Sequence, residues 1–111
     1  MVGKWHLGFA DSLLPTGQGF DYERMIAKNG LDYYNYSISE RHKTVFQDSG
    51  THYLTDKLTE YGLEFIEQNQ NKPFFLFLSY SVPHVLLVPR GDKLRSYLFA
   101  YNKFGGQYNP Y

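Results

Sequence analysis

The stretch TDKLTEYGLEFIEQNQNKPFFLFLSYSVPH, residues 55–84, carries the clearest secondary-structure signals in the chain. Its first half has apolar residues at helical spacing, which form one apolar stripe: Leu58, Tyr61, Gly62, Phe65 and Ile66. Thr55 is the expected N-cap, and Asp56 in the first turn suits the helix dipole. Asn69 to Asn71 end the pattern and Pro73 prevents its continuation, so we predict a helix between Thr55 and these asparagines.

A strand is expected directly after this helix. Five consecutive apolar residues, Phe74 to Leu78, do not alternate with polar ones. That pattern is typical of a strand covered on both faces, as in a parallel sheet that lies between helices. A helix, a short turn and a buried strand make half of a βαβ unit, and such a strand needs neighbours from elsewhere. The stretch therefore predicts an α/β fold.

The rest of the chain gives weaker signals. The segment 13–23 combines Pro and Gly residues and is predicted to be loop, as is the C-terminal segment 105–111. The Tyr-rich segment 30–39 is compatible with a short strand, and 40–53 with a short hairpin. One further helix is expected around 93–101.

The composition restricts the class of protein. The 111 residues fit one small domain, and eleven Tyr, nine Phe and one Trp supply ample material for a core. The formal net charge is zero, which gives no argument for nucleic acid or an anionic membrane as a partner. The chain has no Cys, which excludes disulfides, thiolate nucleophiles and Cys-based zinc sites. No apolar run is long enough to span a bilayer.

The opening residues MVGKWHLG, 1–8, contain the first candidate site. If Met1 and Val2 end a strand, alternation places Lys4 and His6 on the same side. An ammonium and an imidazole on one side suit a tetrahedral anion such as sulfate or phosphate. The alternative is that both are ordinary solvated residues near a terminus.

The second candidate is His84, in the segment SYSVPH that follows the apolar strand. Ligands of open α/β sheets bind at the carboxyl ends of the strands, so this position favours a functional histidine over a merely exposed one. His42 and His52 have no such context and are interpreted as surface or loop residues. The aspartates form no paired-carboxylate signature, and we predict no metal site from them: Asp11, Asp21, Asp32, Asp48 and Asp56.

The two candidate segments together resemble the sulfatase family, within the alkaline-phosphatase-like superfamily. GKWHLG at 3–8 is similar to the family's second signature, and GFDYE at 19–23 to the GFD-aromatic segment that follows it. Residues 53–84 resemble the family's helix, core strand and PH loop, and 101–111 resemble the stretch that leads into its next helix. The resemblance therefore touches most of the chain.

The resemblance implies a fold and three site residues. The fold is a partial alkaline-phosphatase-like three-layer α/β fold with a mostly parallel central sheet, truncated at both ends. Lys4 matches the signature lysine, which contacts the sulfate of the substrate and the catalytic aldehyde hydrate. His6 matches the histidine that hydrogen-bonds this hydrate and transfers a proton, and His84 the histidine that contacts sulfate near the leaving-group oxygen.

The chain departs from the family pattern in its nucleophile and metal. The family uses a formylglycine made from Cys or Ser in a C/S-x-P-S-R segment, whereas Ser81 to His84 lacks the Ser-Arg pair. The family's calcium ligands correspond to positions outside 1–111. We therefore expect the central portion of a sulfatase catalytic domain that partners with missing flanking segments. The resemblance also implies sulfated small molecules or glycans as substrates and export from the cytoplasm.

Three alternatives remain open from the sequence. The chain is also compatible with a non-catalytic remnant, or with a phosphodiesterase-like member of the same superfamily. The abundance of Tyr suggests a carbohydrate-binding module, with Tyr33, Tyr34 and Tyr36 as its platform.

Overall fold

A mixed β-sheet organises the computed structural model, which describes residues 1–26, 32–84 and 87–103. In these ranges its strands are β1 (Val2–Gly3), β2 (Arg24–Ile26), β3 (Asn35–Glu40), β4 (Lys43–Ser49) and β5 (Leu78–Ser79). They lie in the order β4-β3-β2-β1-β5. β1 is parallel to both β2 and β5, whereas β3 is antiparallel to β2 and β4. The α/β class is confirmed, with parallel pairing around β1.

The two predicted helices are present as α1 (Leu54–Asn69) and α2 (Gly91–Lys103). The predicted N-cap is wrong, because α1 begins at Leu54 and Tyr53 occupies the cap position. The Leu54 N–H donates instead to the carbonyl of Tyr33 at 2.8 Å. A carbonyl from a distant segment thus replaces the side-chain cap expected from Thr55. In the described ranges no helix is both long and apolar enough to cross a membrane.

The short strand expected in 30–39 is present as β3, and it forms a hairpin with β4, so the hairpin spans 35–49 and is not contained in the predicted segment 40–53. Arg41 and His42 make its turn with φ angles of 43° and 67°. The segment 13–23, predicted to be loop, contains the short 3₁₀ helix Pro15–Gln18 and the last residue of another, Asp11–Leu13, so the loop prediction is wrong for these residues. The predicted C-terminal loop 105–111 lies outside the described residues.

A buried carboxylate ties this 3₁₀ stretch to the hairpin turn. Glu23 is fully buried, and its two oxygens accept hydrogen bonds from the backbone N–H groups of Thr16 at 3.0 Å and Arg41 at 2.8 Å. Because both donors are backbone groups, Glu23 fixes the path of two loops rather than their side chains. No local pattern in the sequence predicts this role of Glu23.

The core lies on one face of the sheet, against α1. Its buried members are Val2, Ile26, Tyr33, Tyr36, Ile38, Leu54 and Leu58. Leu76 and Leu78 also pack against this cluster, so the segment 74–78 contributes alternate residues to it. This alternation is the normal consequence of extended backbone geometry.

The opposite face of the same segment is open. Phe75 and Phe77 stack on Phe20, with ring centroids 6.2 and 6.5 Å away, yet they remain 74% and 43% exposed. Trp5 meets Phe20 edge-on at 6.2 Å. The prediction that Phe74 to Leu78 is covered on both faces is therefore wrong for the described residues. α1 covers one face, and β5 pairs with β1 at one end of the strand order.

β1 and β5 approach each other closely at Gly3. The Val2 and Lys4 N–H groups donate to the carbonyls of Phe77 at 2.9 Å and Ser79 at 2.7 Å. Gly3 has a φ of +118°, and a Cβ built there would overlap the Ser79 carbonyl oxygen. Only glycine satisfies both the dihedral angle and the space at this point.

Replacement of Gly3 by Ala should separate β1 from β5 and lower the free energy of unfolding by more than about 3 kcal/mol. Gly50→Ala is the matched control, because Gly50 also has a positive φ of +111° but has open space around its Cβ position. We expect Gly50→Ala to lower the free energy of unfolding by about 1–2 kcal/mol. Urea denaturation measures the unfolding free energy of both variants. Equal decreases would show that the close approach of Gly3 to the Ser79 carbonyl does not add to the cost.

A second buried carboxylate shapes the loop between β4 and α1. The Asp48 side chain is only 4% exposed. Its Oδ2 accepts hydrogen bonds from the N–H groups of Gly50, Thr51 and His52, and its Oδ1 lies 2.7 Å from His52 Nδ1. Burial alone would raise the pKa of Asp48, but these hydrogen bonds outweigh it and lower the pKa to about 2.

The low pKa of Asp48 predicts a pH-dependent contribution to stability. A carboxyl whose pKa falls from 3.8 to about 2 on folding stabilises the fold above pH 3.8 and loses that effect as the pH drops through 2. Asp48→Asn should therefore be less stable than the wild type at pH 7, and the difference should shrink towards pH 2. Unfolding free energies at several pH values test this, with exposed Asp21→Asn as the control. A constant difference would contradict it.

Candidate functional site

The carboxyl ends of the three parallel strands meet at one edge of the sheet. Gly3 of β1 lies beside Met25 of β2 and Ser79 of β5, and all three strands run in the same direction. Lys4 follows β1 directly, and His84 follows β5 by five residues. The two segments singled out in the sequence therefore leave the sheet from neighbouring strands at the same edge, where α/β proteins bind ligands.

Two hydrogen bonds anchor the segment that contains Lys4 and His6. The Lys4 N–H bonds to β5, and the Trp5 Nε1 donates to the carbonyl of Leu13 at 2.8 Å. Lys4 is partly buried, whereas His6 is exposed. Trp5 therefore fixes the short connection between the two candidate residues through a hydrogen bond that keeps its ring next to the first 3₁₀ helix.

The segment with His84 is anchored through its backbone. The His84 N–H donates to the carbonyl of Ser81 at 2.9 Å, and its own carbonyl accepts from the Tyr33 hydroxyl at 3.1 Å. Tyr33 is buried in the core against α1, with 1% of its surface exposed. The hydrogen bond from this buried tyrosine therefore fixes the position of the His84 backbone relative to the sheet edge.

The hairpin brings one more histidine to this edge. Asn35, at the start of β3, pairs with Ser49, at the end of β4, so β4 leaves the sheet at the edge where β1 ends. The pair of Asp48 and His52 follows there, and the His52 side chain is 51% exposed. The interpretation of His52 as an ordinary surface or loop residue is therefore incomplete. The sequence feature that could have indicated the pair is an Asp and a His four residues apart on either side of Gly50.

His42 lies at the other end of the hairpin. Its Nε2 is 2.8 Å from Oδ1 of Asp11, and both side chains are well exposed. This pair has the surface character that the sequence suggested, and it contributes little to stability because solvent screens it.

A pocket of about 460 Å³ adjoins the Asp48–His52 pair, and we call it the His52 pocket. It is lined by Tyr34, Thr51, His52, Tyr53, Asp56, Glu60, Arg90, Gly91 and Asp92. The Tyr53 hydroxyl donates to the Val88 carbonyl at 3.0 Å, and Arg90 bonds to Asp56 at 2.9 Å. The chain that follows His84 therefore forms one wall of this pocket.

The suggested tyrosine platform is not present on the surface. Tyr33 and Tyr36 are only 1% and 6% exposed, because both face the core against α1. Of the three residues, Tyr34 alone lines the His52 pocket, next to Tyr53. A module built on all three tyrosines is therefore contradicted by their burial.

A metal site is not evident in residues 1–26, 32–84 and 87–103. No cluster of three or more His, Asp or Glu side chains in these ranges is arranged to hold an ion. The described residues therefore do not fit the calcium site that the resemblance implies.

Comparisons with known proteins agree with the motifs. A family model described as Sulfatase matches residues 1–108. An arylsulfatase of Hemicentrotus pulcherrimus is 32% identical over 117 aligned residues, which cover 83% of this chain and 20% of that protein. The uncharacterized sulfatase YdeN of Escherichia coli (strain K12) is 26% identical over 109 residues, covering 76% and 19%. The chain spans about a fifth of the length of these curated relatives. By the match over nearly its whole length, the chain belongs to the sulfatase family.

Proposed function

We propose that residues 1–111 are the central portion of a sulfatase catalytic domain and supply Lys4, His6 and His84 to the hydrolysis of a sulfate ester. The main support is the parallel pairing of β1 with β5, which makes the segments of Lys4 and His84 neighbours at one sheet edge. The family match makes sulfate the preferred tetrahedral anion over phosphate. The substrate is a sulfated small molecule or glycan, and the longer protein is exported.

Each of the three side chains has a distinct task in this proposal. Cleavage of a sulfate ester builds negative charge on the leaving-group oxygen and on the oxygens around sulfur. The Lys4 ammonium stabilises the charge on the sulfate oxygens, and His84 contacts the ester near the leaving oxygen. His6 transfers a proton at the nucleophile, as a positioned imidazole is suited to do near neutral pH.

The nucleophile and the calcium ion are assigned to other parts of the longer protein. The chain has no Cys and no C/S-x-P-S-R segment, and its described residues do not fit a calcium site. Translation of the flanking DNA in the same frame tests this assignment. A C/S-x-P-S-R segment upstream supports it, whereas an early stop without that segment favours a non-catalytic remnant.

The 111-residue protein by itself should show no arylsulfatase turnover, because it carries charge-stabilising groups but no nucleophile. The measurement is hydrolysis of a chromogenic aryl sulfate by the purified chain, with and without calcium. Calcium-dependent turnover above the rate of a Lys4→Gln, His84→Gln double variant would contradict the proposal.

The same chain should nevertheless bind inorganic sulfate at the proposed site. Its four histidines give separate C2–H signals in proton NMR. Titration with sulfate near pH 6 should shift the signals of His6 and His84 with one common midpoint. The signals of His42 and His52 should not move, because each ring already pairs with a carboxylate that repels a second anion.

Lys4→Gln should weaken this sulfate binding roughly tenfold, which corresponds to the loss of one hydrogen bond between charged groups. Lys72→Gln is the matched control, because Lys72 is exposed and precedes β5 at the opposite edge of the sheet. Different midpoints for His6 and His84, or an unchanged affinity in Lys4→Gln, would show that these residues do not share one anion.

A further inference from the structure

The His52 pocket has an aromatic wall with a fixed orientation. The rings of Tyr34 and Tyr53 lie 5.2 Å apart, and Tyr53 also stacks on buried Tyr33 at 5.5 Å. The Tyr53 hydroxyl donates to the Val88 carbonyl, which holds the ring in place, and burial raises its pKa. Rigid aromatic faces of this kind bind the C–H face of a flat, partly apolar ligand.

His52 lines the same pocket, and its contact with Asp48 determines which ring nitrogen carries the hydrogen. With its low pKa, Asp48 is ionised near neutral pH and can only accept hydrogen bonds. The hydrogen in the 2.7 Å contact therefore belongs to Nδ1 of His52. In the neutral ring, this leaves Nε2 as an acceptor for a hydroxyl group.

The charged groups of the pocket are already compensated. Arg90 pairs with Asp56 at 2.9 Å and with Asp92 at 2.8 Å, and Glu60 pairs with Lys57 at 2.7 Å. An anionic ligand group would meet three carboxylates and a guanidinium that two of them already neutralise. Hydroxyl groups, in contrast, can both donate to the carboxylates and accept from the guanidinium without adding charge.

We propose that the His52 pocket binds a neutral sugar ring, stacked on Tyr34 and hydrogen-bonded by His52, Glu60 and Arg90. The volume of about 460 Å³ falls in the range of small-molecule sites. The chain that follows His84 forms one wall of the pocket through Arg90, Gly91 and Asp92, so we assign the ring to the part of a sulfated glycan next to its ester. This last step rests on the proposed function, whereas binding of the ring itself does not.

Binding of neutral methyl glycosides to the 111-residue chain tests the inference. The probes are the methyl glycosides of galactose, glucose, fucose and N-acetylglucosamine, each titrated in saturation-transfer NMR. At least one should bind saturably in the millimolar range. Glu60→Gln and His52→Ala should each weaken it at least fivefold. Glu64→Gln, an exposed change one turn further along α1, should leave the affinity unchanged.

Each outcome decides for or against the sugar site. Glu60 is exposed, so Glu60→Gln keeps the test valid even if His52→Ala disturbs the loop through Asp48. Absence of saturable binding by all four glycosides, or equal affinity of Glu60→Gln and Glu64→Gln, overturns the proposal. Preferential binding of methylammonium or sulfate in this pocket also overturns it. Because the probes carry no sulfate, the result is independent of the sulfate titration that tests Lys4 and His84.

Discussion

The close approach of β1 and β5 at Gly3 is the constraint on which the candidate site depends. Two hydrogen bonds cross between the strands, and no side chain fits between Gly3 and the Ser79 carbonyl. The register fixed there determines where Lys4 leaves the sheet relative to the segment that carries His84. A slip by one residue would turn every side chain of β1 to the other face. The chemistry proposed for this edge therefore depends on a glycine that takes no part in it.

Most elements of this fold are predictable because their signals are local. The apolar stripe of α1 and the hairpin are each visible within a few residues of sequence. The N-cap at Thr55 was wrong because the Leu54 N–H is satisfied by the carbonyl of Tyr33, a partner that local pattern does not reveal. The two-sided burial of 74–78 was wrong because an apolar run shows that both faces are apolar, not that both are covered.

The candidate site also has a part that local sequence signals predict and a part that depends on tertiary packing. The exit of the Lys4 and His84 segments at one edge of the sheet was predictable, because parallel strands end at the same edge. The environment of His52 was not predictable, because it depends on the burial of Asp48 and on the register of the hairpin. The sequence places these two residues four apart, but only tertiary packing makes the carboxylate a fixed acceptor that sets the imidazole tautomer.

In the proposed function, the distribution of charge at this edge suits a substrate with one anionic group and a neutral remainder. In the proposed arrangement, Lys4 attracts the sulfate group at one end. At the other end, the Arg90 guanidinium of the His52 pocket already pairs with Asp56 and Asp92, so a sulfate placed there gains little and meets repulsion. The reversed orientation of the substrate is therefore disfavoured by the pocket as well as by the loss of Lys4. Attraction of the sulfate at one end and its repulsion at the other together favour one orientation of the proposed substrate more strongly than either would alone.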